Sequence, residues 1–435
     1  MFELTLKLSG FPIKEAKKHL QKIQEIPEDR YEAYIIEQRQ RIVKYHLEHN
    51  SFYKSFIDEN SVEKWEEIPI MQKNDLQIPL NDRLSNGFTT KNCYINKTSG
   101  SSGHPLIFAK DKYSHALTWA EIIDRFGWFG IDFNKSYQAR FYGIALDFFN
   151  NRKERLKDFL SHRFRFAIFD LSEEKLEKYF AQFKTKKFQY INGYTSSIVL
   201  FAKYLKSKNI VLTEVCPTLK QCVVTSEMLF EKDKKLLNKW LGVPVINEYG
   251  AAELDLIAFT NLKDEFIVNS ETLYVEILDE YNKAVPKGKS GKIVITSLYN
   301  KANPLIRYEI GDTGVLSEYS TLKSPILEEL IGRTNDIAIL PSGKIVPGLT
   351  FYYVTKSVIE EDGNVKEFII EQTSLDTFKV IYCSEKELDL NQKNNVKKAL
   401  YNYLENNLTL NFERVQVLER NKRGKLKQFV SKMES

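Results

Sequence analysis

Thr98-Ser99-Gly100-Ser101-Ser102-Gly103-His104-Pro105 lies between an apolar lead-in, Tyr94-Ile95, and a second apolar run, Leu106-Ile107-Phe108-Ala109. A stretch this rich in hydroxyls and glycine does not build a core. Its physical use is a loop whose backbone N–H groups and hydroxyls wrap a phosphate, with glycine permitting the close backbone approach. The other reading is a flexible Ser/Gly connector. It is not a Walker A loop, which ends in Gly-Lys-Ser/Thr; here Gly103 is followed by His104 and Pro105.

Four further stretches interrupt apolar surroundings with polar or glycine residues. Glu248-Tyr249-Gly250-Ala251-Ala252-Glu253 follows the apolar run Val243–Ile246. A carboxylate beyond a strand's carboxyl end lies where open α/β sheets bind ligands. Glu253 can hold a Mg²⁺ that bridges phosphates, or it can be a helix-start carboxylate meeting the macrodipole. In Arg307-Tyr308-Glu309-Ile310-Gly311-Asp312, Asp312 can accept from ribose hydroxyls and Arg307 can pair with an anion. The alternative is an internal Arg307–Asp312 pair that staples the turn. Gly332-Arg333-Thr334-Asn335-Asp336 reads as an interdomain hinge or a polar connector. Asn421-Lys422-Arg423-Gly424-Lys425-Leu426-Lys427 is a basic loop or a solvated face.

The elements that must position these residues change character along the chain. Residues 12–60 read as helices, and a helix is expected over Ser114–Phe129 with Gly130 as its stop. Strands near Ala139–Ile144, Ala167–Phe169, Gln189–Ile191, Gln221–Val224 and Val243–Ile246 alternate with helices at Ser196–Ser207 and 227–240. That alternation predicts a mostly parallel sheet with helices on its faces. From Leu273 to about Leu340 the pattern is antiparallel strands and turns. The last hundred or so residues read as a small α+β unit, with strands near Lys366–Gln372, Phe378–Tyr382 and Arg414–Val417 and a helix from Glu387 to about Asn406. With 435 residues the chain suits one large and one small domain. Its 63 Lys+Arg against 58 Asp+Glu are dispersed, which suits small anions better than a nucleic-acid surface. Cys93, Cys216, Cys222 and Cys383 form no CxxC pair, so neither a zinc framework nor disulfides are expected. No apolar run of about 18 residues exists to span a membrane. Charge within Met1–Lys7 argues against a signal peptide, and a cytoplasmic location is expected.

In order and spacing these stretches resemble the adenylate-forming superfamily of acyl-CoA synthetases, adenylation domains and luciferases. The likeness is strongest to the phenylacetate–CoA ligase branch, which includes capsular-polysaccharide-biosynthesis proteins. Asn50-Ser51-Phe52-Tyr53 and Ile68-Pro69-Ile70-Met71-Gln72-Lys73-Asn74-Asp75-Leu76 add to it, so it covers nearly the whole chain. The resemblance implies a mixed α/β fold. A large domain over 1–333 would hold mostly parallel sheets and a barrel-like antiparallel part, and a small mobile α+β lid would span 334–435. Thr98, Ser99, Gly100, Ser101, Ser102 and Gly103 would clasp the ATP β/γ-phosphates. Ser226 and Glu227 would form the adenine-side loop, and Tyr249, in Tyr249-Gly250-Ala251, would stack on the base. Glu253 would coordinate Mg²⁺, Asp312 would hold the ribose, and Arg333 would reach ribose or phosphate. Asn335 falls at the hinge and Lys425 at the mobile lysine. Tyr142, Asn192 and Tyr194 would lie near the acid pocket.

The implied reaction is carboxylic acid plus ATP giving acyl-AMP and pyrophosphate, then acyl transfer to coenzyme A. An amine, a hydroxyl or a carrier thiol is the alternative acceptor. An idle nucleotide-binding scaffold is the alternative of another class, and a homodimer is open. Three departures stand out. His104 occupies the place of a lysine in many relatives, Asn335 replaces the usual hinge aspartate, and Gly424-Lys425 lacks the fuller lysine-motif context, leaving Lys422 and Lys427 as alternatives.

Overall fold

The structure, a computed structural model, describes residues 2–57, 64–98, 106–142, 157–159, 161–166, 173–333, 337–343, 345–347, 355, 365–403, 405–419 and 429–433. Two compact units are present, 1–310 with 314–329, and 311–313 with 330–435.

The first unit begins with helices. Ile13–Gln24 buries Ile13, Ala16, Leu20 and Ile23, the one-face spacing of an amphipathic helix. That face packs on Ala116, Leu117 and Ala120 of the helix Lys112–Gly127. Asp111 sets where the latter begins, since its Oδ1 accepts from the backbone N–H groups of Tyr113 (2.9 Å) and Ser114 (2.8 Å). The helix therefore starts and stops two residues before the expected Ser114–Phe129.

The main sheet has seven strands: β3 (Gln138–Phe141), β4 (Arg163–Phe166), β5 (Tyr190–Tyr194), β6 (Gln221–Thr225), β7 (Val245–Ala251), β8 (Asp255–Thr260) and β9 (Phe266–Val268). Their spatial order is β4-β3-β5-β6-β7-β8-β9. The first five are parallel, as the β–α alternation predicts, and the last two antiparallel. Helices Glu173–Thr185, Thr195–Ser207 and Glu231–Leu241 cover one face around Phe141, Phe183, Phe201 and Leu237. The last of them starts four residues later than expected and ends at Gly242, whose φ of 74° needs glycine. Phe126, Tyr190, Val223, Ile246 and Phe259 fill the other face.

One strand departs from expectation. β4 is Arg163–Phe166, while Ala167–Phe169 lies outside the described residues. Arg-Phe-Arg-Phe alternates with period two, but its charges hide it from a search for apolar runs. The structure resolves the cost by pairing Arg163 and Arg165 with the buried Asp158, at 2.5 and 2.9 Å.

A hairpin of β1 (Tyr94–Lys97) and β2 (Ile107–Lys110) precedes this sheet. A four-stranded sheet of order β10 (Leu273–Leu278), β11 (Ser290–Ser297), β12 (Tyr308–Leu316) and β13 (Leu327–Arg333) follows it, with an antiparallel first pair.

In the second unit an antiparallel pair of β14 (Ile337–Ile339) and β15 (Ile345–Pro347) precedes a sheet in which β16 (Val365–Gln372), β17 (Thr377–Ser384), β18 (Thr409–Val415) and β19 (Phe429–Ser431) take the order β18-β17-β16-β19. The helix Leu390–Tyr403 packs Val396 and Leu400 against Phe368, Phe378 and Val380. Of the third expected strand, Arg414–Val417, only Arg414 and Val415 are strand, as the end of β18, and the chain bends at 416–417. The helix is shorter than the expected Glu387 to Asn406.

His46 is buried in the first unit. Its Nε2 donates to the Asn300 carbonyl (3.0 Å), and Nδ1 lies 3.2 Å from the Ser85 hydroxyl. Burial lowers its pKa from 6.5 to about 4. The unfolded chain therefore binds the extra proton first, so this group withdraws stability as pH falls from about 6.5 to about 4. Measured by urea unfolding, the stability difference between wild type and His46→Gln is expected to shrink across that window and stay flat above pH 7.

Candidate active site

The chain passes from β3 to β4 on one side and returns across β3 to β5 on the other, so strand succession reverses at β3. Open α/β sheets bind ligands outside the carboxyl ends of strands at such a reversal. Tyr142, the residue after β3, and Tyr194, the last of β5, meet there with ring centroids 4.8 Å apart. Asn192 is buried beside them, accepting from Gln138 Nε2 (3.3 Å) and donating to the Val223 carbonyl (3.2 Å). Gly193 lets β3 and β5 close up, because a Cβ there would stand 2.4 Å from the Phe141 carbonyl oxygen. The three residues of the expected acid pocket are thus gathered.

The residues expected on the adenine side lie just after β6 and on β7. Ser226 comes directly after β6 with φ 71°, a left-handed conformation unusual for serine. The Thr195 hydroxyl donates to the Glu227 carbonyl (3.2 Å), tying that loop to the helix after β5. Tyr249 lies on β7, neighbour to β6, with its ring 6.5 Å from that of Phe266. At Gly250 the β7–β8 register shifts, and a Cβ would meet the Asp255 carbonyl oxygen at 2.3 Å. Only glycine passes here, which explains its place in the motif; Ala251 then pairs with Asp255.

Glu253 sits in the turn between β7 and β8, so the helix-start reading of its carboxylate falls away. It is buried, and its Oε1 accepts from the Tyr308 hydroxyl at 3.0 Å. Asp255, at φ 57°, forms an ion pair with the buried Lys110 at the end of β2. Of the eight non-glycine residues with positive φ among the described residues, Ser226 and Asp255 flank candidate residues on the loop after β6 and the β7–β8 turn. Strained backbone of this kind concentrates at functional sites.

Thr98 closes the mouth of the serine/glycine loop. Its N–H donates to the Leu106 carbonyl (2.9 Å), and its hydroxyl accepts from the Leu106 N–H (2.9 Å). The β1–β2 hairpin is held to the helix beneath by Tyr94 stacked on His115, centroids 3.9 Å apart. Asp312 is buried on β12, four residues beyond Tyr308, and Arg333 is the last residue of β13. Ser99, Gly100, Ser101, Ser102, Gly103, Asn335 and Lys425, with His104, Lys422 and Lys427, lie outside the described residues.

Arg307 differs from both sequence readings. Its ion-pair partner is Glu276 on β10, not Asp312. The guanidinium is 1% exposed and forms an ion pair with Glu276 at 3.2 Å. It also donates to the carbonyls of Trp65, Glu66 and Ile68 at 3.3, 2.8 and 2.7 Å. Its role is structural. Tyr308, whose hydroxyl holds Glu253, is the contributor that sequence reasoning missed, although it stands inside a quoted motif.

No protein-family model matches the chain. The chain is similar to Protein CapK from Staphylococcus aureus, 22% identical over 378 residues that cover 82% of this chain and 78% of that protein. It is 28% identical over 141 residues to a phenylacetate-coenzyme A ligase from Thermus thermophilus, covering 30% of this chain and 31% of the ligase. Among solved structures, 2-hydroxyisobutyryl-CoA ligase in its postadenylation state superimposes with a TM-score of 0.70 at 16% identity, covering 94% of this chain and 91% of that one. The relatives and the fold match the adenylate-forming superfamily.

Proposed function

We propose that this chain, with its adenylate-forming fold, activates a carboxylic acid with ATP, giving acyl-AMP and pyrophosphate, and passes the acyl group to coenzyme A. The observation that carries the reading is Glu253, a buried carboxylate oriented through one oxygen by Tyr308 beside the carboxyl edge of a parallel sheet. Among the described residues no three His, Cys, Asp or Glu gather as a metal cage. One carboxylate completed by phosphate oxygens and water suits Mg²⁺, which rarely takes an all-protein shell. Bound there, Mg²⁺ would neutralise charge on the phosphoryl oxygens.

The chain's own residues supply the rest of this proposal. Thr98 through Gly103 cradle the β/γ-phosphates through N–H groups and hydroxyls. Ser226, Glu227 and Tyr249-Gly250-Ala251 receive the adenine, and Asp312 and Arg333 the ribose side. Tyr142, Asn192 and Tyr194 receive the acid. Lys425, on a small domain over 334–435 hinged at Asn335, neutralises charge that builds as the carboxylate attacks the α-phosphate. A lid of this kind assembles the site only around bound substrates. In this reading the protein acts in the cytoplasm; among the described residues no helix is long and apolar enough to cross a membrane.

Asn335 in place of the hinge aspartate favours a second reading of the acyl transfer alone, in which an amine, a hydroxyl or a carrier thiol is the acceptor. Purified protein with ATP, a panel of acids and either coenzyme A or hydroxylamine separates the two. Thioester formation is expected; product formed only with the amine removes the coenzyme A step. Tyr308→Phe, which leaves the Glu253 carboxylate free to turn, is expected to raise the Mg²⁺ concentration for half-maximal exchange of pyrophosphate into ATP about tenfold. Titration of Mg²⁺ at saturating ATP checks it.

A further inference from the structure

Arg140, on β3, has a buried Nε with no hydrogen-bond partner. Its guanidinium lies over the Tyr142 ring, 4.2 Å from the centroid. In the sheet register Arg140 stands opposite Asn192, Asn192 opposite Val223, and Val223 opposite Ile246. Residues two apart share a face, so Thr225 and Glu248 stand on the same side as Arg140 and Asn192, one step nearer the carboxyl edge. Contacts agree with that parity, since Gln138 bonds Asn192 and the Thr225 hydroxyl donates to Glu248 Oε1 at 2.8 Å.

Level with Arg140 and Asn192 the face turns apolar at Val223 and Ile246, which pack with Tyr190 on Phe126 and Phe259. Arg140, Asn192, Thr225 and Glu248 thus form a polar patch toward the end where Tyr142 and Tyr194 meet, the place assigned above to the acid. Burial raises the Glu248 carboxyl above the ordinary carboxylate range, against the hydrogen bond from Thr225 and the charge of Arg140. Among the described residues Glu248 Oε2 receives no donor, so an orphan donor and an open acceptor lie on one face of the sheet, near enough for the Arg140 charge to act on the carboxyl. A buried donor left as Arg140 Nε is left is rare in folded proteins and calls for a partner.

We propose that the acid activated here carries a hydroxyl or primary amide remote from its reacting carboxylate, which accepts from Arg140 and donates to Glu248. The proposal rests on the adenylation reading for the site's location, and it names the substrate class within it. A purely aryl or alkyl acid leaves both groups unpaired. A second carboxylate satisfies Arg140 but faces Glu248 with no proton to give.

The test uses the full-length protein and acids in matched pairs: butyrate with 4-hydroxybutyrate, phenylacetate with 4-hydroxyphenylacetate, and succinate with succinamate. Each pair is compared by pyrophosphate exchange and by calorimetric binding in the presence of AMP. At least one hydroxyl or amide member is expected to exceed its partner tenfold or more, since a site built to bond such a group rejects the analogue without it. Arg140→Met is expected to bring that ratio toward one, and Arg140→Lys, which keeps a donor, to restore part of it. Preference for the apolar or dicarboxylic members in binding, binding without preference, or no binding by any pair overturns the proposal. Preferential binding without exchange supports the pocket and counts against adenylation, so the two failures are separable.

Discussion

Glu253→Gln is expected to lower acid-dependent exchange of pyrophosphate into ATP about 10²–10³-fold, the usual loss when one electrostatic stabiliser of a reacting group is removed. The substitution keeps the shape and the acceptor for the Tyr308 hydroxyl, which donates to Oε1 at 3.0 Å. It removes only the charge that would hold Mg²⁺. The thermal midpoint should therefore move little, and the loss should fall on the exchange rate rather than on acid binding. Exchange within threefold of wild type would remove Glu253 from the reaction. A collapse of the thermal midpoint would instead reveal a structural carboxylate.

Arg307→Met is expected to destabilise the first unit by about 3–5 kcal/mol, the range for breaking a buried ion pair by deleting one partner. The guanidinium joins Glu276 to the carbonyls of Trp65, Glu66 and Ile68. Without it, Glu276 is left buried and charged; burial already raises its pKa, and Arg307 is the main group opposing that rise. The Arg307 carbonyl also accepts from the Met71 N–H at 3.0 Å, and the Met71 carbonyl accepts from the Glu309 N–H at 2.9 Å. The 65–71 segment should thus loosen with the arginine, although Tyr308 and Glu253 keep their own bond. Urea unfolding checks the size. A loss below about 1 kcal/mol would show that the neighbouring carbonyls find water instead.

The two halves of this account were unequally visible in the sequence. Parallel strands showed as short apolar runs between helical patterns, and the ordered motifs marked the serine/glycine stretch, the β7–β8 turn and the β12 segment. The reason for Gly250 needed the structure, because it lies in the carbonyl of Asp255 five residues on. Arg307 could not be assigned from its neighbours: its partner Glu276 is distant in sequence and approaches only through the sheet. β4 hid behind its two arginines until Asp158 stood beside them. Arg140 and Glu248 were invisible as a pair, since only strand register puts them on one face. Local patterns report periodicity and turn chemistry, while cross-strand partnership depends on register that no short window contains.

The most direct measurement is a nucleotide balance on the purified protein with Mg²⁺, ATP and an acid mixture rich in hydroxy acids and amides, read by mass spectrometry. The expected result is AMP and pyrophosphate in equal amounts, with an enzyme-bound acyl-adenylate of matching mass, all dependent on the acid. Release of ADP and phosphate, or nucleotide turnover indifferent to the acid, would contradict it.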